Sequence, residues 1–296
     1  MENTVKFEDE LIALIKDKKE LSSLDDVFVR EILRKKLAPI SPDKLSSYSS
    51  FKQFRRSSLS KKIITEVRSY LRTVYGVFQQ KPLSDCSSLT SQLSSPSDPL
   101  ISTLLLSHQS TKERLPYYEE LYSSLLSVFA ECGISLSSWS LLDLACGWNP
   151  LAVSFFPSVP KTYVGVDLSS SDMSELNSLF TRFSLPYSFY SFDIVSDDFR
   201  QWLSSQPSFD VCFLFKALDS LEFASRHSSK KLLSSLLKKT KCIVATFPRV
   251  SISGRSNSSM DSRFWLESWC EKEGLSFKKQ FLPNEVCYIL LSSSHE

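Results

Sequence analysis

Between Ser140 and Phe247 five short apolar runs alternate with amphipathic stretches, and this rhythm narrows the choice of fold more than any other feature of the chain. The spacing predicts strands at Ser140 to Ala145, Thr162 to Val166, Tyr187 to Phe192, Asp210 to Phe215 and Cys242 to Phe247, with helices around 151–155, 172–183, 196–204 and 225–239. Strands separated by helices cannot form tight hairpins. They pair in parallel, and the helices cover both faces of the resulting sheet. Two further runs, Ser276 to Phe281 and Val286 to Leu291, flank Pro283-Asn284 and read as a terminal antiparallel hairpin.

Open α/β sheets bind ligands beyond the carboxyl ends of their strands. The first predicted strand runs out through Leu144, Ala145, Cys146 and Gly147, small residues that let the backbone turn tightly against a ligand. Asn149 stands where it could cap a helix opened by Pro150. The second strand ends at Asp167, placed to accept hydrogen bonds from ribose hydroxyls, and the third at Asp193, placed to meet an adenine amino group. Acids at strand ends are common, but three ordered features in one sheet point to a nucleoside cofactor. Five parallel strands followed by an antiparallel pair is also the layout associated with S-adenosylmethionine-dependent methyltransferases.

Composition removes competing classes. With 6 glycines in 296 residues, and neither GxxxxGK[ST] nor GxGxxG present, phosphate cradles are excluded. Seven cysteines, never in CxxC, read as buried free thiols of a reducing compartment, and three histidines make a metal site improbable. The start of the chain, Met1 to Lys19, lacks the basic and apolar regions of a signal peptide, and no apolar run reaches the roughly 20 residues that cross a bilayer. The expected location is the cytoplasm.

A formal net charge of +2 hides an asymmetry. Residues 30–72 hold twelve bases against three acids, a surplus of nine, which leaves the rest of the chain at −7. A basic segment beside an acidic body is the footprint of a polyanion-binding surface, although solvated helix faces give the same count. Helical spacing in Asp25 to Leu37 and Lys61 to Phe78 makes residues 1–80 a basic helical domain with its bases projecting outward. Residues 81–98 are Ser/Pro-rich and read as a linker, and Leu100 to Cys132 reads as helical, so that 81–107 forms a linker and connecting helix before a main domain at 108–296.

The segment His108-Gln109-Ser110-Thr111-Lys112-Glu113-Arg114-Leu115 would alone be a polar helix start. Together with DLACGWNPLA at 143–152, FKALDSLE at 215–222 and FPRVSISGRSNSSM at 247–260, it resembles the aminoglycoside-resistance 16S ribosomal RNA guanine-N7 methyltransferases. The resemblance runs from about Ile63 to Leu291. It implies a class I S-adenosylmethionine-dependent methyltransferase (Rossmann-like) α/β sheet, a helical N-terminal domain that docks on RNA, S-adenosyl-L-methionine as cofactor, and the 30S subunit with its 16S rRNA as partner of a monomer.

By that resemblance Arg114 pairs with the methionine carboxylate, Phe78 closes over the cofactor, Ala145 and Gly147 line the methionine, and Asp167 holds the ribose. Phe192 and Asp193 hold the adenine, Phe215 and Lys216 flank the transfer path, and His108, Ser110, Thr111 and Lys112 complete the cofactor pocket. RNA contacts fall to Arg55, Arg56, Lys61, Lys62, Arg249, Arg255 and Met260. Guanine N7 carries a free lone pair, so no general base is expected, and orientation supplies the catalysis. The sequence departs from the family where Ser256-Asn257-Ser258-Ser259 replaces glycines and a lysine, and where Trp148 replaces a leucine. Two other readings stay open at this point: methylation of a different small-subunit nucleotide, and a catalytically silent RNA-binding or assembly factor.

Overall fold

The structure, a computed structural model, describes residues 7–72, 86–224, 227–249 and 262–291. Its first part is helical: α1 (Glu8–Lys16), α2 (Asp26–Leu37), α3 (Pro42–Ser46), α4 (Phe51–Arg56) and α5 (Ser58–Leu71). Leu11, Ile15, Val29, Leu33, Phe54, Ile63 and Val67 close into one apolar core. Local chemistry sets the helix starts. The Asp25 carboxylate accepts from the backbone N–H groups of Val27 and Phe28, and the Ser57 hydroxyl accepts from that of Ser60. Each such cap stabilises its helix by about 1 kcal/mol.

This cluster corrects the picture of bases that all project outward. Glu8 is buried and takes Arg34 through Nε at 2.7 Å and Arg30 through a guanidinium nitrogen at 2.8 Å. Arg68 donates to the carbonyls of Leu14 and Ile15, and Arg72 pairs with Glu20. These four arginines hold the helices together. Lys44, Lys52, Arg55, Arg56, Lys61 and Lys62 remain exposed.

Within the stretch read as a linker, the described part contains helix α6 (Cys86–Gln92). The helical reading of Leu100 to Cys132 resolves into α7 (Leu100–Leu105), α8 (Gln109–Arg114) and α9 (Tyr118–Glu131). The breaks have local causes: His108 is extended at φ −116° and ψ 132°, and Pro116 sits in the 3₁₀ turn before α9.

The remaining elements are β1 (Ser140–Leu144), β2 (Thr162–Asp167), α10 (Ser170–Arg182), β3 (Tyr187–Ser191), α11 (Asp197–Ser205), β4 (Phe209–Phe215), α12 (Leu218–Ala224), α13 (Ser228–Leu236), β5 (Thr240–Pro248), α14 (Phe264–Glu273), β6 (Ser276–Phe281) and β7 (Glu285–Leu291). All seven predicted strands are present, with Ser276–Phe281 exact and the other ends displaced by at most two residues. The stretch predicted as a helix at 151–155 is a 3₁₀ segment, Asn149–Phe155, and α12 and α14 were not anticipated. The sheet order is β3-β2-β1-β4-β5-β7-β6, parallel from β1 to β5 with β7 inserted antiparallel between β5 and β6.

Side chains alternate across this sheet. Val211, Phe213 and Phe215 of β4 join the core with Tyr118, Tyr122 and Phe156, while Cys212 and Leu214 join the opposite core with Phe199, Leu233 and Trp269. Cys146, Cys212, Cys242, Cys270 and Cys287 are buried free thiols, as expected. The N-terminal helices meet the sheet at its carboxyl edge, where Leu168 packs into their core and the Ser169 hydroxyl donates to the Ser23 carbonyl at 3.5 Å.

Candidate active site

The β1 and β4 strands are neighbours, and the strand order reverses direction beside them, so the crevice past their carboxyl ends is the natural ligand site. An open pocket of about 890 Å³ lies there. Both strands leave the sheet through a left-handed residue, Ala145 at φ 55° and Lys216 at φ 57°, and Gly147 follows at φ 47°. Non-glycine residues in this region carry about 1–2 kcal/mol of strain, which gathers where backbone must stay clear of a ligand. A Cβ on Gly147 would stand 3.3 Å from the His108 ring, so the glycine lets that ring lie against the turn.

Asp167 is held rigidly. Its carboxylate accepts from the backbone N–H of Gly147 at 2.8 Å and from that of Leu168 at 2.7 Å. Burial nevertheless raises its pKa, overriding those hydrogen bonds. Burial likewise raises Asp193, whose carboxylate accepts from the Val195 N–H at 3.1 Å, with Lys35 pulling the other way. Phe192 packs on Phe199 and Trp202 and presents its ring beside Asp193 in the pocket lining.

The opposite wall is charged and buried. Arg114 is 1% exposed, lies over the Phe215 ring at 4.6 Å, and pairs through Nε with Glu285 Oε1 at 2.9 Å. The same Glu285, fully buried at the start of β7, takes Lys216 Nζ at 3.2 Å and the Tyr117 hydroxyl at 3.1 Å. Lys216 also pairs with Glu113. Burial alone would raise the Glu285 pKa; Arg114 and then Lys216 bring it below the usual carboxylate value. The buried Nη2 of Arg114 has no hydrogen-bond partner among the described residues. An unpaired guanidinium nitrogen in a pocket wall calls for an acceptor there, and a carboxylate supplies one. Burial first, then Arg114 and Lys216, lowers His108 to about 4, leaving it neutral at pH 7.

Beneath the glycine turn lies a buried polar network. Asp143 accepts from the Tyr163 hydroxyl and from Asn149 Nδ2 at 2.8 Å, while Asn149 Oδ1 accepts from the Tyr118 hydroxyl at 2.9 Å. Asn149 therefore does not cap a helix; it ties the turn to α9. Burial pushes Asp143 up to about 6.

The structure thus brings together His108, Ser110, Thr111, Arg114, Ala145, Gly147, Asp167, Phe192, Asp193, Phe215 and Lys216 around one pocket. Lys112 is exposed and stands outside that lining, since α8 turns Thr111 and Arg114 inward. Arg249 is engaged elsewhere, donating to the Leu282 carbonyl at 3.1 Å and stacking on Phe281. Phe78, Arg255 and Met260 lie outside the described residues. Sequence reasoning missed Glu285 by starting the last strand one residue late. The signal was present, because an acid opening the apolar run Val286 to Leu290 is buried only when paired.

Sheet order, the antiparallel seventh strand and the pocket at the carboxyl ends define a class I methyltransferase fold. The chain matches the family described as "Ribosomal RNA methyltransferase (FmrO)" over residues 97–289. That span is well over half of the sequence, and the chain belongs to this family. It is 26% identical over 230 residues to a 16S rRNA (guanine(1405)-N(7))-methyltransferase of Micromonospora echinospora, an alignment covering 74% of this chain and 79% of the relative. A protein of the same name from Serratia marcescens is 25% identical, with 90% of this chain and 98% of the relative covered. The crystal structure of the 16S rRNA methyltransferase RmtF in complex with S-adenosyl-L-homocysteine superposes with a TM-score of 0.74 at 20% identity, covering 98% of this chain and all of that one.

Proposed function

We propose that this protein transfers the methyl group of S-adenosylmethionine to guanine N7 in the decoding-site helix of 16S ribosomal RNA, acting on the 30S subunit as a cytoplasmic monomer. The observation that carries the reading is the buried, half-satisfied guanidinium of Arg114 facing a pocket floored by the Gly147 turn and flanked by Asp167 and Asp193. The bound cofactor supplies an electrophilic sulfonium methyl. Arg114 holds its carboxylate, Asp167 its ribose hydroxyls, and Asp193 with Phe192 its adenine.

The remaining chemistry falls to orientation. Asp143, Asp167, Asp172 and Asp193 line the pocket, whereas its cations Arg114 and Lys216 are already neutralised by Glu285 and Glu113. An excess of negative charge suits a positively charged sulfonium and the positive charge that develops on a methylated purine. Neutral His108 and ion-paired Lys216 fix the walls and remove no proton, because N7 has none to lose. A base inside an RNA helix must first leave its stack, and contacts in the pocket offset that cost.

The basic helices of residues 1–80 serve as the RNA-docking domain, with Arg55, Arg56, Lys61 and Lys62 exposed for phosphate contacts, and residues 108–296 as the catalytic domain. Methylated N7 adds positive charge to the drug site, the basis expected for aminoglycoside resistance. The test is methyl transfer onto unmodified 30S subunits with the modified nucleotide mapped. A mark on any atom other than a guanine N7 refutes the assignment, and absence of both transfer and cofactor binding refutes the enzyme.

A further inference from the structure

A second groove opens next to the candidate active site and is lined from three separate elements. Lys35 comes from α2, Ile194, Val195, Phe199, Arg200 and Leu203 from β3–α11, and Ser228, Lys231, Leu232 and Ser235 from α13. Ile194 lines this groove and the cofactor pocket alike, so the two adjoin on the Asp193 side.

Three cations converge here, and two of them serve no ion pair among the described residues. In the run Arg34-Lys35-Lys36, Arg34 is used by Glu8 and Lys36 lies 3.8 Å from Glu66, while Lys35 has no ion-pair partner among the described residues. Lys231 also has none, and it stands on the first turns of α13, where a cation opposes the helix dipole. Glu222 already accepts from the backbone N–H groups of His227 and Ser229 at that helix end, which leaves the side of α13 as the open face. Arg200 pairs with Asp197, a strongly exposed acid, and the charge of Lys35 acts on Asp193, lowering its pKa against the effect of burial.

We propose that this groove binds a backbone phosphate of the RNA substrate, clamping the nucleic acid across the junction of the N-terminal helices and the sheet. The inference rests on the reading of the chain as an RNA-modifying enzyme. It assigns part of RNA docking to α11 and α13, beyond the basic helices at the N-terminus. A phosphodiester between Lys35, Arg200 and Lys231 would receive cations from both halves of the molecule and fix how they present RNA to the pocket.

The test compares the full-length wild type with Lys231→Glu and with Lys231→Glu/Lys35→Gln, using 30S subunits titrated over a series of salt concentrations. Lys161→Glu, an exposed base away from the groove, is the control, and S-adenosylhomocysteine affinity checks that each variant is folded. The double variant should bind 30S about tenfold or more weakly and lose roughly one from the slope of log K against log salt. Lys231→Arg should retain wild-type behaviour. Unchanged affinity and slope in the double variant, with methyl transfer intact, overturns the groove alone. Groove-dependent binding without methyl transfer by the wild type supports the groove and refutes the enzymatic reading. Failure of the wild type to bind 30S overturns both.

Discussion

Arg114 and Glu285 are separated by 171 positions in the chain, yet their side chains meet fully buried, Nε to Oε1 at 2.9 Å. The pair joins α8 to the antiparallel strand β7 across the mouth of the sheet, and the same carboxylate restrains Lys216 after β4. One acid therefore sets the position of two cations of the site.

Truncating Arg114 removes a ligand contact and strands an acid. Arg114→Ala should abolish S-adenosylhomocysteine binding in calorimetry and lower stability by about 3–5 kcal/mol, the usual cost of leaving a buried charge unpaired. Glu285→Gln, which keeps the shape and removes the charge, should weaken cofactor affinity while leaving a folded protein by circular dichroism. Wild-type affinity in Arg114→Ala would remove that residue from the cofactor site.

Gly147→Ala tests the turn itself. At φ 47° an alanine is strained by about 1–2 kcal/mol, and its Cβ meets the His108 ring at 3.3 Å. The variant should fold and bind cofactor at least several-fold more weakly. An unchanged dissociation constant would show that the cofactor does not contact this turn.

How far such features could be read from the sequence depended on their range. Strands with apolar runs, such as Phe209–Phe215, announce themselves because both faces of a parallel strand are buried. The acids at β2 and β3 were legible because each stands at the end of a predicted strand, although β3, at the edge of the sheet, exposes Tyr190. Helix α14 was not, because Phe264 is exposed while Leu266, Trp269 and Cys270 are buried, which blurs its amphipathic face. Left-handed Ala145 and Lys216 carry no compositional mark, as glycine would. The sorting of Arg30 and Arg34 into structural bases depended on Glu8, more than twenty positions away.

Two buried groups oppose each other in pH. Asp143 has a folded pKa raised to about 6, so the folded state holds more protons than the unfolded between about pH 4 and 6, and stability from this group falls as pH rises. His108 is depressed to about 4, so the unfolded state holds more protons up to pH 6.5, and stability from this group rises with pH. In the wild type the two slopes largely cancel. Asp143→Asn removes the falling one, so relative to wild type it should gain about 2 kcal/mol between pH 4 and 6.5 in urea titrations. A pH-independent difference between the two proteins would refute the raised Asp143 pKa.

The bases of the N-terminal helices divide into two kinds with different expected phenotypes. Arg34→Ala leaves the buried Glu8 carboxylate with Arg30 alone and should destabilise the protein, lowering its melting temperature while cofactor affinity in the folded state is kept. Reversing the exposed Arg55, Arg56, Lys61 and Lys62 to Glu should change the melting temperature little, because exposed charges contribute within about 1 kcal/mol. It should instead weaken binding to 30S subunits and flatten the salt dependence in proportion to the number of phosphates no longer neutralised. If those four reversals leave the salt slope unchanged, the exposed bases are a solvated helix face and the RNA lies elsewhere on the molecule.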